Sequence, residues 1–173
     1  LPGPTLIVHQ GEPVTVTLHN ALPAAAGATS ILFPGFTVVA SGGVPGLLTS
    51  EAATGGGTVT YTFTATNAGT HTYYSGTQGD LQIEMGLYGA LIVRPALNGA
   101  VPTGYAAPTT GLPDTCTAVG AKGPTAGVEA DYRLAAAAYD HPSACYDREY
   151  LFQFSEIDPV IHRAAEEVAN CVA

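Results

Sequence analysis

The sequence predicts an all-β fold, an antiparallel β-sandwich or Greek-key barrel, in its first half. Two observations lead to this class. Apolar residues alternate with threonine in several segments, which is the period of a strand with one face in the core. The chain also has 21 glycines and 13 prolines, about one residue in five, with only 11% charged residues. Such a high content of glycine and proline, with so few charged residues, is typical of short strands separated by many turns.

Seven strands are predicted, and turn signals in the sequence separate them. About 100 residues are enough to bury a workable single core. The predicted strands are Thr5–His9, Pro13–Asn20, Ile31–Phe33, Phe36–Val39, Thr58–Ala65, Thr70–Tyr74 and Leu87–Val93.

The two strands with the clearest alternation are the second and the fifth. In Pro13–Asn20, valine and leucine alternate with threonine and histidine. In Thr58–Ala65, Val59, Tyr61 and Phe63 alternate with threonine. Threonine on the wet face is itself a good strand former. Glycine-rich turns such as Gly55-Gly56-Gly57 bound these segments and keep the strands short.

Beyond residue 95 the composition changes. Residues 96–145 are rich in Gly, Pro, Thr and Ala, which predicts a linker or long loop between two units. Residues 146–173 are predicted to begin a second domain that is cut off. Within them, Tyr150–Asp158 has a strand pattern, and Asp158 followed by proline is the N-cap of a short helix over Pro159–Val168.

Charge excludes two classes of partner. Asp and Glu outnumber Lys and Arg by 14 to 5, for a formal net charge of −9. Nucleic acid and anionic lipid both require clustered basic residues, so we expect neither as a partner. No apolar run approaches the roughly 20 residues that span a bilayer. We therefore expect no contact with membranes.

Three segments resemble the multicopper oxidase family. Pro2–Pro23 resembles the opening of its first cupredoxin domain, Ala68–Pro95 resembles the end of that domain, and Tyr150–His162 resembles the start of the second. The resemblance implies a cupredoxin-like Greek-key β-sandwich over residues 1–95. For the parent protein it implies a secreted or periplasmic location, and copper-dependent oxidation of a substrate coupled to oxygen reduction.

The resemblance also identifies where copper ligands would stand. In active members, the first domain supplies two His-x-His pairs to a trinuclear copper cluster. Residues i and i+2 project from one strand face, and imidazole suits copper. The segments that match those motifs here read LFPG, Leu32–Gly35, and YYSG, Tyr73–Gly76. The four ligand positions therefore hold Leu32, Pro34, Tyr74 and Gly76. We expect no cofactor in this chain and copper in the remainder of the parent protein.

Cysteine placement excludes a blue-copper site in the first domain, because that site needs a thiolate and no cysteine precedes Cys116. A disulfide between Cys116 and Cys145 is the favoured pairing of the three available. It would stabilise the fold by about 3.5 kcal/mol on the chain-entropy model. Three free thiols remain an alternative, and the partner of Cys171 is left open.

Other polar residues give weaker signals. The histidines His9, His19 and His71 suggest a copper carrier only as a last hypothesis, since their spacing is not that of a tight site. Glu156 and Asp158 are carboxylates two residues apart, for which turn and cap chemistry is favoured over acid–base catalysis. The polar turn Gly76–Asp80 suggests a hydrogen-bonding surface that replaces the metal site. No nucleophile or phosphate-loop motif is present, so no catalytic residue is predicted.

The sequence thus predicts a structural, copper-free cupredoxin domain at the N-terminal end of a multicopper oxidase-like protein. Its expected partners are further cupredoxin domains of the same protein or assembly, and a homo-oligomer is left open. The alternative is a non-enzymatic extracellular structural or interaction protein built from cupredoxin domains. Sequence beyond Ala173 containing histidine and cysteine ligands would favour the oxidase.

Overall fold

The computed structural model describes residues 2–94 and 150–171 of the chain. In that part of the chain, eight strands are present with one 3₁₀ turn and two α-helices. The strands are β1 Leu6–His9, β2 Pro13–His19, β3 Val39–Gly42, β4 Val44–Pro45, β5 Ser50–Glu51, β6 Thr58–Thr64, β7 Gly69–Tyr74 and β8 Tyr88–Arg94. The 3₁₀ turn is Ala24–Ala26, and the helices are α1 Gly79–Gln82 and α2 Pro159–Cys171.

The strands form two three-stranded sheets and a two-stranded ribbon. The first sheet has the order β1-β8-β7, with β1 parallel to β8 and β7 antiparallel to it. The second sheet is antiparallel with the order β2-β6-β3, and β4 pairs with β5. The chain crosses between the two larger sheets after β1 and again after β6. This arrangement confirms the predicted all-β, cupredoxin-like sandwich.

The core lies between the sheets and follows the alternation in the sequence. Val59, Tyr61 and Phe63 of β6 are 1%, 0% and 5% exposed, while the threonines between them face outward. Leu91 and Val93 of β8 contribute the opposite side of the core. Because side chains alternate across a strand, the period-2 pattern predicted this face correctly.

The prediction of strands at Ile31–Phe33 and Phe36–Val39 is wrong. The first of these segments has a single bridge, between Leu32 and Tyr74, and regular pairing starts only at Val39. Pro34 has no backbone N–H to give to a ladder, and Gly35 has a positive φ of 89°. The chain therefore turns at this point, with the Phe36 N–H donating to the Phe33 carbonyl at 3.3 Å.

The strand predicted at Tyr150–Asp158 is also absent. These residues have no ladder partner within the described part of the chain, and Phe152 and Phe154 are 75% and 92% exposed. A strand requires a neighbouring backbone to receive its hydrogen bonds, whatever its side-chain pattern.

The helix predicted to start at Pro159 is confirmed and extends to Cys171. Asp158 caps it, since its Oδ1 accepts the Val160 N–H at 2.8 Å. Glu84 of the sandwich holds the same helix start. Its Oε1 accepts the Asp158 N–H at 2.5 Å, and its carbonyl lies 2.8 Å from His162 Nε2.

Several predictions fall on other residues. The linker at residues 96–145 and the Cys116–Cys145 disulfide lie outside the described residues. Among the helices of the described part, neither has the length and apolar character that crossing a membrane requires.

Candidate functional site

The two segments that match the ligand motifs are adjacent in the structure. The Leu32 N–H donates to the Tyr74 carbonyl at 2.8 Å, and the Tyr74 N–H donates to the Leu32 carbonyl at 3.2 Å. Gly76 lies against the Leu32 side chain. Pro34 is exposed, on the turn that follows Leu32. The structure thus brings Leu32, Tyr74 and Gly76 together at one end of the sandwich, with Pro34 at its margin.

This set of side chains does not fit copper. Copper sites in proteins use imidazole, thiolate or thioether donors, and Leu32, Pro34 and Gly76 offer no side-chain donor atom. Space is also lacking. A Cβ added at Gly76 would lie 2.8 Å from Leu32 Cγ, closer than real Cβ contacts, and 3.0 Å from Ser30 Oγ, which is tighter than most of them. A ligand side chain at Gly76 therefore requires Leu32 to move.

Buried hydrogen bonds surround these positions, and Gln82 is at their centre. Its side chain is 3% exposed. Its Oε1 accepts from Thr29 Oγ1 at 2.9 Å and from Ser75 Oγ at 2.6 Å. Its Nε2 donates to the Ala28 carbonyl at 2.8 Å. One amide therefore ties helix α1 to the segment before Leu32 and to the end of β7.

A second chain of hydroxyl groups runs beside it. Thr77 Oγ1 donates to Glu51 Oε1 at 2.8 Å. Because a hydroxyl has a single proton, Ser30 Oγ must then donate to Thr77 Oγ1, also at 2.8 Å. Ser75 Oγ in turn accepts the Thr77 N–H at 3.1 Å. These polar groups next to the ligand positions thus bond to one another and form one network.

An apolar cavity of about 260 Å³ lies beside this network, between the sheets. Tyr73 forms part of its wall and donates its hydroxyl to the Pro4 carbonyl at 2.6 Å. Burial raises the pKa of the Tyr73 phenol. Gly89 is required opposite this ring, because a Cβ there would overlap it. The cavity wall therefore presents a neutral phenol whose hydroxyl is already bonded.

The histidines are not brought together. His9 ends β1, just before the turn into β2, and His19 ends β2, so the rise along β2 separates them by about 20 Å. His71 Nε2 lies 2.9 Å from the Asn67 carbonyl, and its ring packs on Phe36. No group of three or more His, Cys, Asp or Glu side chains that is able to hold a metal occurs among the described residues.

The carboxylates Glu156 and Asp158 do not form a paired acid–base site. Asp158 caps helix α2, as predicted, and Glu156 is exposed. Sequence reasoning missed Gln82 and the hydroxyl groups before Leu32. Only Thr77 lies in the predicted polar turn Gly76–Asp80, and it bonds within the domain.

Comparison with known proteins identifies the family of this chain. A model of the multicopper oxidase family matches residues 1–98. The chain belongs to the multicopper oxidase family. This confirms the resemblance that the sequence motifs indicated, and it covers the whole sandwich described above.

Two fungal relatives are similar over the same region. A multicopper oxidase of Cercospora beticola, CTB12, is 38% identical over 96 residues, which are 54% of this chain and 14% of that protein. A multicopper oxidase of Talaromyces pinophilus, MCE, is 36% identical over 104 residues, which are 58% of this chain and 16% of that protein. The chain therefore spans only a small part of the length of these relatives.

Two solved structures are similar over part of the chain. A multi-copper oxidase from Pseudomonas thermotolerans superposes with a TM-score of 0.47 at 26% identity, covering 60% of this chain and 24% of that one. A copper nitrite reductase from Nitrosomonas europaea superposes with a TM-score of 0.46 at 31% identity, covering 59% of this chain and 34% of that one.

Proposed function

We propose that this chain is a structural, copper-free cupredoxin domain, N-terminal in a multicopper oxidase-like protein whose coppers are held by other domains. The observation that carries the proposal is the joint replacement of both ligand pairs. Leu32 and Pro34 stand at one pair and Tyr74 and Gly76 at the other. A metal cluster needs both pairs of ligands. A domain that has lost both pairs together is therefore best explained as one that no longer holds the cluster.

The packing at the ligand positions supports the proposal. The backbone bridge between Leu32 and Tyr74 holds the two motif segments together without a metal. Leu32 fills the space beside Gly76 that a ligand side chain would need. The network around Gln82 gives the hydroxyl groups of Thr29 and Ser75 a buried partner. These contacts join the elements that a metal cluster would otherwise join.

For the whole parent protein, family membership supports copper-dependent oxidation of a substrate coupled to oxygen reduction. The partners are then further cupredoxin domains, and the location is secreted or periplasmic. Residues 1–95 form the domain, residues 96–145 the linker, and residues 146–173 the first element of the next domain. The exposed apolar side chains of Phe152, Phe154 and Ile157 suit such an element, because a neighbouring domain would bury them.

The test is metal binding by the 173-residue chain. The purified chain is loaded with copper under oxidising and reducing conditions, dialysed, and assayed by metal analysis and electron paramagnetic resonance. We expect no stoichiometric, tightly held copper. Retention of one or more coppers per chain would refute the proposal. If that copper is lost when His9, His19 and His71 are all replaced by alanine, the result supports the copper-carrier hypothesis instead.

A restored variant provides the positive control. It carries Leu32→His, Pro34→His, Tyr74→His and Gly76→His in one chain.

Oxygen uptake and copper content of the parent protein complete the test. A parent with neither would favour the non-enzymatic building-block alternative, while copper and oxygen uptake in the parent alone agree with the proposal.

A further inference from the structure

Arg94 is an unusual residue in this sandwich because it is charged and only 5% exposed. It ends β8 and lies opposite His9 of β1 in the parallel register. Leu91 and Val93 of β8 point into the core. Alternation therefore directs Arg94 to the outer face of the β1-β8-β7 sheet, away from the copper-motif segments.

The guanidinium of Arg94 has no hydrogen-bond partner for two of its nitrogens. Nε and Nη2 are both buried, and neither finds an acceptor among the described residues. The N–H groups of these two nitrogens lie side by side on one edge of the planar group. That edge is the fork that binds a carboxylate through two parallel hydrogen bonds.

His9 presents a third unpartnered group at the same place. Its Nε2 is buried and has no hydrogen-bond partner within the described part of the chain. Burial, followed by the nearby Arg94 charge, lowers the pKa of His9. The ring is therefore neutral at pH 7, and in the tautomer with hydrogen on Nε2 it is able to donate one further hydrogen bond.

The acidic residue beside this group, Glu12, contacts His9 and not Arg94. Glu12 Oε2 accepts the His9 backbone N–H at 2.8 Å and lies 3.8 Å from His9 Nδ1. No ion pair joins Arg94 to an acidic residue in residues 2–94 or 150–171. A buried charge without a counter-charge is strongly unfavourable, and arginine is almost never fully buried unless it is paired.

We propose that Arg94 and His9 form a receptor for a carboxylate group, with Arg94 Nε and Nη2 gripping its two oxygens and His9 Nε2 assisting. A carboxylate is favoured over a phosphate or sulfate dianion for two reasons. Its planar pair of oxygens matches the fork, and its single charge balances the single charge of Arg94. The carboxylate comes either from an acidic side chain of the protein or from a free carboxylate in solution, and the experiment separates these sources.

The test uses the whole 173-residue chain with Arg94→Lys, which retains the charge and loses the fork. Arg163→Lys, at an exposed position on helix α2, is the matched control. Urea unfolding is measured for each protein in sodium acetate and in sodium chloride at equal ionic strength, with sodium sulfate as a further comparison.

A protein carboxylate in the receptor predicts that acetate has no effect on the original chain. Arg94→Lys then lowers the folding equilibrium constant at least tenfold in both salts, while Arg163→Lys does not. A free carboxylate predicts saturable stabilisation of the original chain by acetate and not by chloride, and this stabilisation is lost in Arg94→Lys. If Arg94→Lys and Arg163→Lys behave alike in every salt, the proposal is wrong.

A second measurement needs no variant and applies even if Arg94→Lys fails to fold. Nitrogen-15 resonances of the arginine Nε–H groups are recorded in chloride and during acetate addition. A carboxylate already bound gives Arg94 an Nε–H that exchanges with water much more slowly than that of Arg163. A free carboxylate shifts the Arg94 signal as acetate is added. Exchange as fast as that of Arg163, with no shift, would overturn the proposal.

Discussion

Replacing Gln82 by leucine tests whether the hydroxyl network stabilises the region of the ligand positions. Gln82 is buried and accepts two hydrogen bonds through Oε1, from Thr29 and Ser75, and its Nε2 donates to the Ala28 carbonyl. Leucine is similar in size but makes none of these bonds. The substitution therefore removes hydrogen bonding while it changes packing little.

The expected loss follows from the groups left without partners. Ser75 Oγ has a second acceptor, the Thr77 carbonyl at 3.0 Å, so its cost is small. The Thr29 hydroxyl and the Ala28 carbonyl lose their Gln82 bonds, and each unsatisfied buried group costs roughly 1–3 kcal/mol. We expect the free energy of unfolding to fall by about 3 kcal/mol. For a domain of this size, that corresponds to a fall in Tm of about 15 °C.

Equilibrium unfolding in urea, followed by circular dichroism, measures this change. Gln153→Leu makes the same substitution at an exposed position and is expected to change stability by less than about 0.5 kcal/mol. The dependence on urea concentration should be the same in all three proteins, since the surface exposed on unfolding is unchanged. A loss below about 1 kcal/mol for Gln82→Leu would refute the reasoning, because the network would then contribute no more than one ordinary hydrogen bond.

Two further predictions concern tyrosine hydroxyls and a histidine. Tyr61→Phe removes a buried hydroxyl that donates to a backbone carbonyl at 2.7 Å, and urea unfolding should report a loss of roughly 1–3 kcal/mol. Tyr74→Phe is the control, since its hydroxyl makes no hydrogen bond within the described part of the chain; an equal loss in both variants would contradict this account. Burial and a nearby arginine lower the pKa of His9 below its ordinary 6.5, so the unfolded chain binds the proton more readily. Stability should therefore fall as the pH drops from about 6.5 towards the folded pKa of His9, and an unfolding series in His9→Gln should show a shallower fall; identical pH profiles would exclude His9 as the cause.

The strands predicted best are those in which apolar and polar side chains alternate clearly along the sequence. β2 and β6 alternate between apolar residues and threonine, and the structure gives them almost the predicted bounds. The segment from Ile31 to Val39 was predicted less well, because Pro34 and Gly35 interrupt pairing that the apolar pattern alone suggests. The pattern of Tyr150–Asp158 also suits a strand, but pairing depends on a neighbouring backbone that no local pattern supplies.

The candidate site was likewise predictable only in part. Aligning the LFPG and YYSG segments with the family motifs was enough to mark Leu32, Pro34, Tyr74 and Gly76 as the ligand positions. The bonds around Gln82 were not predictable, because Thr29 is 53 residues away in sequence and Ser75 is seven away. An isolated glutamine just after a polar turn carries no signal that it will be buried.

By itself, the sequence determined the alternation that forms the sandwich, the family that it resembles and the residue types at the ligand positions. These properties are local, or depend on a fixed spacing between residues. Only the tertiary structure decided that Leu32 would fill the space beside Gly76, that Gln82 would join three segments, and that Arg94 would be buried beside His9. Each of these depends on contacts between residues far apart in the chain, and burial is a property of the folded assembly of strands.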